Sequence, residues 1–264
     1  MYLESRATLN MNGFTIDSEA SGVSCHPRRC TILGPGVIRA ALWGLETIND
    51  RATGTPLLQI SNVLIEGSYD GIWAGHWKVV ATGVTVKNCL LDGILAKKLR
   101  GSDITADDNG EYGIYINGGD LIADNVTANG NGVEGISFFH KVQGSNITAN
   151  SNGRYGIAGE KIIATGVETK GNAMAGVSSG RTVRLTGLVS MNNGGPGLES
   201  RAGTMLVDST LSDNDTLGDG IDILSTRQPR LSNTSCSRSE GLICEPRSWN
   251  CSRTGESWGV CSLD

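Results

Sequence analysis

The chain has 264 residues, a formal net charge of −5, and 37 glycines against six prolines. It has no basic tail or basic domain, which argues against a general nucleic-acid binder. No apolar run reaches the length needed to span a membrane. We therefore expect neither nucleic acid nor a membrane as a partner, and the glycine-rich turns between short β-branched runs favour an all-β fold.

The chain begins with a strand-like segment at residues 8–16, where apolar and polar side chains alternate. We expect residues 1–30 to form an N-terminal cap or the first strands of a truncated fold. A regular pattern occupies residues 31–226, and residues 227–264 lose it. These boundaries predict a central repeat region with a separate cap at each end.

The regular pattern is a glycine followed by a branched apolar residue. The pairs are Gly71-Ile72, Gly93-Ile94, Gly113-Ile114, Gly135-Ile136, Gly156-Ile157, Gly176-Val177, Gly197-Leu198 and Gly220-Ile221. Their nearly constant spacing of about 20 residues is typical of a repeat architecture, in which each unit stacks on the next.

Each unit divides into three strand-like pieces, such as residues 121–123, 125–128 and 135–138. Within each piece, small or apolar residues alternate with polar ones, as in a strand with one buried face. An asparagine precedes the glycine by four residues in five successive units: Asn109, Asn131, Asn152, Asn172 and Asn193. We expect these side chains to stack and to hydrogen-bond amide to amide.

A coil of about 21 residues with three short strands and an asparagine turn resembles the right-handed parallel β-helix of the pectate-lyase superfamily. The resemblance covers residues 31–226. It implies an all-β, single-stranded, right-handed parallel β-helix. A β-propeller and a leucine-rich repeat are the alternatives, but the repeat length and the leucine pattern fit them less well.

Four of the seven cysteines lie in residues 227–264, and residues 258–261 resemble the terminal segment of many bacterial secreted β-helix repeat proteins. The resemblance suggests a disulfide-tied cap that pairs Cys236 with Cys261 and Cys244 with Cys251, although sequence leaves the connectivity open. Such pairing implies a secreted or cell-surface bacterial protein. Free thiols in a cytosolic protein are the alternative, and we expect Cys89 to be free and buried.

Alignment of the coils predicts a column of charged residues along one edge, which we call the basic column. Its members are Lys78, Lys98, Asp120, Lys141, Lys161 and Thr182, with Arg181 one residue before the last and Arg51 in a similar place upstream. Cations at strand spacing suit a polyanion such as an acidic polysaccharide. The alternative is a row of ordinary solvated turn residues, with Asp120 relieving the charges beside it.

Aromatic side chains are expected on the same side, where they could pack on sugar rings, and Trp77 is expected to flank the turn there. The predicted substrate-binding set is Trp73, His76, Lys78, Tyr115, Phe139, Lys161 and Arg181. Covering exposed strand edges is the alternative role for these rings. We expect a monomer that binds acidic polysaccharide.

Enzymes of the pectate-lyase superfamily are mostly polysaccharide lyases, hydrolases and uronan epimerases. The predicted catalytic set for a lyase is Lys98, Arg100, Asp120, His140 and Lys141. These supply a base, a cation for the sugar carboxylate and an acid, as β-elimination requires. A non-catalytic binding or structural β-helix, a hydrolase and an epimerase remain alternatives. The sequence assigns no certain cofactor, and a Ca²⁺ site could involve Asp107, Asp108, Asp120 and Asp124.

Overall fold

The structure is a computed structural model that describes residues 1–4, 6–26, 28–48, 56–244 and 251–262. These residues form strands and turns, with no helix among them. The strands are β1 (Tyr2–Leu3), β2 (Ala7–Asn10), β3 (Thr15–Ser18), β4 (Val23–Cys25), β5 (Arg29–Ala40), β6 (Trp43–Thr47), β7 (Leu57–Glu66), β8 (Asp70–Lys87), β9 (Ile94–Asp107), β10 (Ile114–Ile116), β11 (Asp120–Thr127), β12 (Ile136–Thr148), β13 (Ile157–Lys170), β14 (Val177–Ser179), β15 (Val183–Met191), β16 (Leu198–Ser200), β17 (Thr204–Val207), β18 (Thr210–Ser212), β19 (Ile223–Ser225), β20 (Arg230–Ser232), β21 (Ser239–Cys244) and β22 (Cys251–Ser257).

The strands wind into a right-handed parallel β-solenoid of about 11 turns, which confirms the predicted fold class. Each strand pairs in parallel with its equivalents in the neighbouring coils, as β10 pairs with both β9 and β12. The longest strands, β8, β9, β12 and β13, continue around the corners of a coil, so one strand can contribute to all three sheets. Only β21 and β22 pair antiparallel among the described strands, at the C-terminal end.

Three parallel sheets run the length of the solenoid, and each is named by its place in the coil. The first sheet contains segments such as residues 78–82 and 141–145, and the second sheet follows it with residues 85–87 and 147–148. The third sheet contains the strands that follow the repeated glycine, such as β10. Successive coils therefore place equivalent side chains about 4.8 Å apart on each sheet.

The core is a set of stacked apolar columns. One column is formed by the residue that follows the repeat position of the glycine in each coil. Its members are Ile72, Ile94, Ile114, Ile136, Ile157, Val177, Leu198 and Ile223, all with 0% exposure. Full burial of one such side chain stabilises the fold by about 1.5–3 kcal/mol. The last pair of the repeat is Asp222-Ile223, not the predicted Gly220-Ile221. Leu198 is in register with Ile223, and Asp222 takes the position of the glycine.

The repeated glycine is required by close packing between coils. A Cβ atom at Gly113 would lie 2.6 Å from Asn131 Nδ2 and 2.7 Å from the carbonyl oxygen of Gly135. Both atoms belong to the next coil and cannot move without breaking its hydrogen bonds. A side chain at this position would therefore force neighbouring coils apart.

The predicted asparagine ladder is present and buried. Side-chain amides of Asn109, Asn131, Asn152, Asn172, Asn193 and Asn214 hydrogen-bond from coil to coil at 2.8–3.1 Å. The ladder extends one coil beyond the five predicted asparagines. At its other end, the backbone N–H of the buried, free Cys89 donates to Asn109 Oδ1 at 3.1 Å. Buried amides are stable here because their partners are other members of the ladder.

Disulfides tie both ends of the described chain. Cys236 pairs with Cys261 and Cys244 with Cys251, as suggested from the sequence, and Cys25 pairs with Cys30. These bonds indicate an oxidising environment. In the part of the chain that the structure describes, no helix has the length and apolar character to span a membrane.

Candidate functional site

Residues of the basic column pair with one another from coil to coil, along the edge where the first sheet begins. Lys78 pairs with Lys98, Asp120 with Lys141, and Lys141 with Lys161 across neighbouring strands. Leu99 pairs with Leu121, which sets Lys98 beside Asp120. The structure therefore brings five predicted site residues into one line, at intervals of about 4.8 Å.

The basic column also continues toward the N-terminal end. Arg29 pairs with Leu57, and Leu57 pairs with Lys78. The backbone N–H of Arg6 donates to the carbonyl oxygen of Arg29 at 2.7 Å, so Arg6 is the next member. Arg51, expected upstream of Lys78, lies outside the described residues. Aligning residues 7–10 with residues 30–33 would have revealed the two arginines from sequence.

Most cations of the column have little electrostatic compensation. Lys141 Nζ lies 4.0 Å from Asp120 Oδ2 and donates to Gln143 Oε1 at 3.0 Å. Lys78, Lys98 and Lys161 form no ion pair with any described carboxylate. Like charges on adjacent strands repel each other. The column is therefore a surface where a polyanion would relieve an existing repulsion.

The remaining members of the predicted catalytic set lie next to the column. His140 is exposed at the turn that precedes Lys141. Arg100 is exposed two residues after Lys98 and points outward from the first sheet, in register with Ile122 and Val80. Lys98, Asp120 and Lys141 occupy three consecutive coils, so all five residues lie on one stretch of surface. Their catalytic roles stay predictions.

Arg181 and His76 lie at the same edge but outside the column itself. Thr182, not Arg181, occupies the column position, because Ile162 is in register with Val183. Arg181 Nε instead forms an ion pair with Glu160 Oε2 at 2.7 Å. His76 is exposed in the turn that leads into Lys78. Of these two side chains, Arg181 is the one whose charge is already balanced within the chain.

Aromatic rings form a cluster beside the column. Tyr115 points outward from the third sheet, and its ring stacks on Tyr112 at 5.0 Å and meets Phe139 at 6.1 Å. Trp73 is two coils upstream of Tyr115 on the same face and packs on Trp43 at 5.9 Å. Phe139 keeps 54% exposure. These rings form an apolar surface next to the basic column.

Trp77 does not belong to this cluster, and the expectation that it flanks the turn on the outside is wrong. Its side chain has 0% exposure and lies in the core. The strand register shifts between Ala74 and Lys78, so the alternation of inward and outward residues changes phase at this turn. Trp77 consequently points inward, between the buried Ala74 and Val79.

The residue before the repeated glycine forms a column of carboxylates, for which the sequence predicted neither burial nor a role. Asp70, Asp92 and Glu134 are each less than 10% exposed. Burial, with the negative charges of Asp70 and Glu111, raises the pKa of Asp92 to about 6. Burial also raises the pKa of Asp70 and that of Glu134. The signal in the sequence was an acidic residue directly before Gly71, Gly93 and Gly135.

The carboxylates bind backbone groups of the next coil. Asp70 Oδ1 accepts from the N–H of Asp92 at 3.1 Å, and Asp92 Oδ1 accepts from the N–H of Tyr112 at 3.3 Å. Glu134 Oε1 lies 3.8 Å from Arg154 Nη1. These bonds keep the carboxylates beside the aromatic cluster.

The expected calcium ligands do not gather. Asp107 Oδ1 accepts from the N–H of Asn129, and Asp124 Oδ1 accepts from the N–H and hydroxyl of Ser145. Asp120 is paired with Lys141. Across the described ranges, no group of three or more His, Cys, Asp or Glu side chains could hold a metal ion.

The fold and this surface define a parallel β-solenoid with a basic column and an adjacent aromatic cluster. Comparison of the chain with models of known protein families and with curated protein sequences finds no match.

Proposed function

We propose that this chain is an acidic-polysaccharide lyase of the pectate-lyase type, which binds an extended polyuronate along the basic column and cleaves it by β-elimination. The observation that carries the proposal is the register that aligns Lys78, Lys98, Lys141 and Lys161 on one edge. The disulfides and the resemblance of the terminal segment support a secreted or cell-surface bacterial protein.

Binding would match the repeat of the protein to the repeat of the ligand. A polyuronate carries one carboxylate per sugar, and the rise per sugar is comparable to the distance between coils. Lysine ammonium groups bind carboxylates with charge-assisted hydrogen bonds. The rings of Tyr115 and Phe139 would pack on the apolar faces of the sugars. An extended chain could therefore contact several coils at once.

The elimination would use residues from three coils. Lys141, positioned by Asp120, would take the C5 proton, and the freed electron pair would form the C4–C5 double bond. The C4–O bond would break, and His140 would donate a proton to the leaving oxygen. Lys98 and Arg100 would bind the sugar carboxylate and stabilise the negative charge that develops on it.

The experiment is to measure the ultraviolet absorbance of the unsaturated product with a panel of uronans. Lys141→Ala and His140→Ala should each lower turnover by about a hundredfold or more, the usual size of a general acid–base contribution. Lys170→Ala is the matched control, because Lys170 pairs with Glu168 on the second sheet. Polyuronate binding without unsaturated product would overturn the lyase proposal and favour a non-catalytic binding β-solenoid.

Glycoside hydrolysis is a second candidate, and the carboxylate column favours it. Asp92, with its raised pKa, could donate a proton near neutral pH. Glu134 lies two coils from Asp92, a separation of about 10 Å at strand spacing, which is slightly longer than the roughly 6.5–9.5 Å between the carboxyl groups of inverting hydrolases. New reducing ends that appear without unsaturated product, and that Asp92→Asn abolishes, would support this candidate over the lyase.

A further inference from the structure

A second group of cations surrounds a cavity on the outward face of the first sheet, near the C-terminal end. The cavity has a volume of about 350 Å³, and Arg184, Arg227 and Arg230 line it. Small-molecule sites have volumes of about 300–1,000 Å³, so this cavity is large enough for one small ligand. We call it the arginine cleft.

The strand register fixes the shape of the arginine cleft. Arg184 is in register with Met205, and Met205 with Arg230. The two arginines therefore lie on either side of Met205, about 10 Å apart at two strand spacings. Met205 keeps 44% exposure and gives the cleft an apolar floor. Thr182 and Gln228 add polar groups to the wall.

The three guanidinium groups have no balancing charge in the structure. None of them forms an ion pair with a carboxylate among the described residues. The chain as a whole has 27 acidic and 22 basic residues, so carboxylates are in excess. Arginine is the side chain best suited to bind an oxyanion, because its planar fork can donate two parallel hydrogen bonds. Three such groups around one cavity favour a negatively charged ligand.

The surface also continues beyond the arginine cleft. Arg184 and Met205 line a second, shallower cavity of about 390 Å³, whose other walls include Gln143 and Ser145. A ligand longer than one sugar could thus extend from the cleft along the first sheet. Thr182, which lines the arginine cleft, occupies the basic-column position of its coil. The column therefore has no charge in this coil.

We propose that the arginine cleft binds a small anionic saccharide, with its carboxylate or sulfate groups on Arg184, Arg227 and Arg230 and a sugar face on Met205. This site is distinct from the basic column, since none of its arginines is a member of that column. The proposal does not require the elimination reaction, so the cleft can bind its ligand whether or not the chain is a lyase.

The test is calorimetric titration at low ionic strength of the full chain carrying Lys98→Ala, Lys141→Ala and Lys161→Ala, so that the basic column does not contribute to binding, with three probes of equal length. These are an oligouronide, a sulfated oligosaccharide and a neutral oligosaccharide. We expect either or both of the anionic probes to bind and the neutral probe not to bind. Comparison of the affinities for the oligouronide and the sulfated oligosaccharide shows whether the cleft binds a carboxylate or a sulfate. The proposal is overturned if neither anionic probe binds.

Variants locate the binding. Arg184→Gln with Arg230→Gln should weaken binding at least tenfold, because both guanidinium groups contact the ligand. Lys87→Gln with Lys170→Gln removes the same charge from the second sheet and should change affinity less than twofold. If the two double variants bind equally, the attraction is general and the proposed cleft is wrong. Arg184→Lys with Arg230→Lys keeps the charge and should still lose affinity if the hydrogen bonding is bidentate.

A stability measurement supplies a readout that does not depend on a ligand. Without ligand, Arg184→Gln with Arg230→Gln should raise the melting temperature slightly, because it removes repulsion between unpaired cations. Saturating ligand should raise the melting temperature of the unmodified chain by clearly more than it raises that of this variant. A basic-column variant with Lys98, Lys141 and Lys161 changed to alanine should keep the oligosaccharide binding. Loss of binding in that variant would place the ligand on the column and reject the cleft.

Discussion

Asn214 Nδ2 donates a hydrogen bond to Asp222 Oδ1 at 2.7 Å, and this contact ends the asparagine ladder with a carboxylate. Asp222 has 0% exposure, and its Oδ2 accepts from the N–H of Ser237 at 2.6 Å. A carboxylate can accept on both oxygens, whereas an asparagine there would present an NH₂ group to one of the two donors. Asp222 thus joins the last regular coil to the C-terminal cap.

We predict that Asp222→Asn lowers the free energy of unfolding by about 1–3 kcal/mol, since it leaves a buried donor without an acceptor. Asp213→Asn is the matched control. Asp213 is exposed with a φ of 55°, a backbone conformation that asparagine also adopts readily. Chemical denaturation should show a clear loss for Asp222→Asn and almost none for the control. Equal effects would mean that the end of the ladder has no special role.

The two C-terminal disulfides should stabilise the protein to different extents. Cys236 and Cys261 are 25 residues apart, whereas Cys244 and Cys251 are seven apart. Loop-closure entropy predicts losses of about 3.5 and about 2.4 kcal/mol when each pair is changed to serine. Thermal melts of the two double variants should show this order.

Mass spectrometry after alkylation without reductant should show six cysteines blocked from alkylation by their disulfides. Cys89 should react only after unfolding.

The raised pKa of Asp92 predicts a change in stability with pH. Its folded-state pKa of about 6 exceeds the unfolded-state value of about 4, so the folded state holds the proton more tightly. This contribution is fully present below about pH 4 and is lost as the pH rises through 6. Asp92→Asn keeps the acceptor for the N–H of Tyr112 and removes the titration.

The stability of Asp92→Asn relative to the unmodified protein should therefore rise by about 2 kcal/mol between about pH 4 and pH 8. Asp70 and Glu134 contribute in the same direction, and taking the difference between the two proteins cancels most of their share. Urea denaturation at the two pH values is the measurement. A difference that stays constant with pH would show that Asp92 has an ordinary pKa.

The repeat made the fold predictable, because each coil repeats the same local constraints. The spacing of glycine and isoleucine predicted the stacked column through Ile114, Ile136 and Ile157, and the asparagine spacing predicted the ladder. The prediction failed at Gly220-Ile221. There the interval between equivalent residues grows from 21 to 25. Residues 215–221 lie between Asn214, the last asparagine of the ladder, and Asp222, and the dipeptide Gly220-Ile221 lies out of register.

The candidate site was less predictable, because turns change the phase of the alternation. Trp77 follows the register shift after Ala74 and points inward, although its neighbours in sequence suggested an outward position. Arg6 and Arg29 were missed because Leu57 interrupts the column between Arg29 and Lys78. The burial of Asp92 depends on packing between coils, which periodicity alone does not reveal.

Binding along the basic column is tested most directly by the affinity of the protein for polyuronate as cations are removed from that column. The variant with Lys98→Ala, Lys141→Ala and Lys161→Ala is compared with a control that carries Arg39→Ala, Lys87→Ala and Lys170→Ala. The control removes the same charge from the second sheet, where each cation is paired with a carboxylate.

We expect the column variant to bind at least tenfold more weakly than the unmodified protein, while the control binds nearly as well. Binding of the unmodified protein should also weaken as salt is added, because screening reduces the attraction between the column and the polymer. Equal binding by the column variant and the unmodified protein would contradict binding along the basic column, since the cations would then be ordinary solvated turn residues.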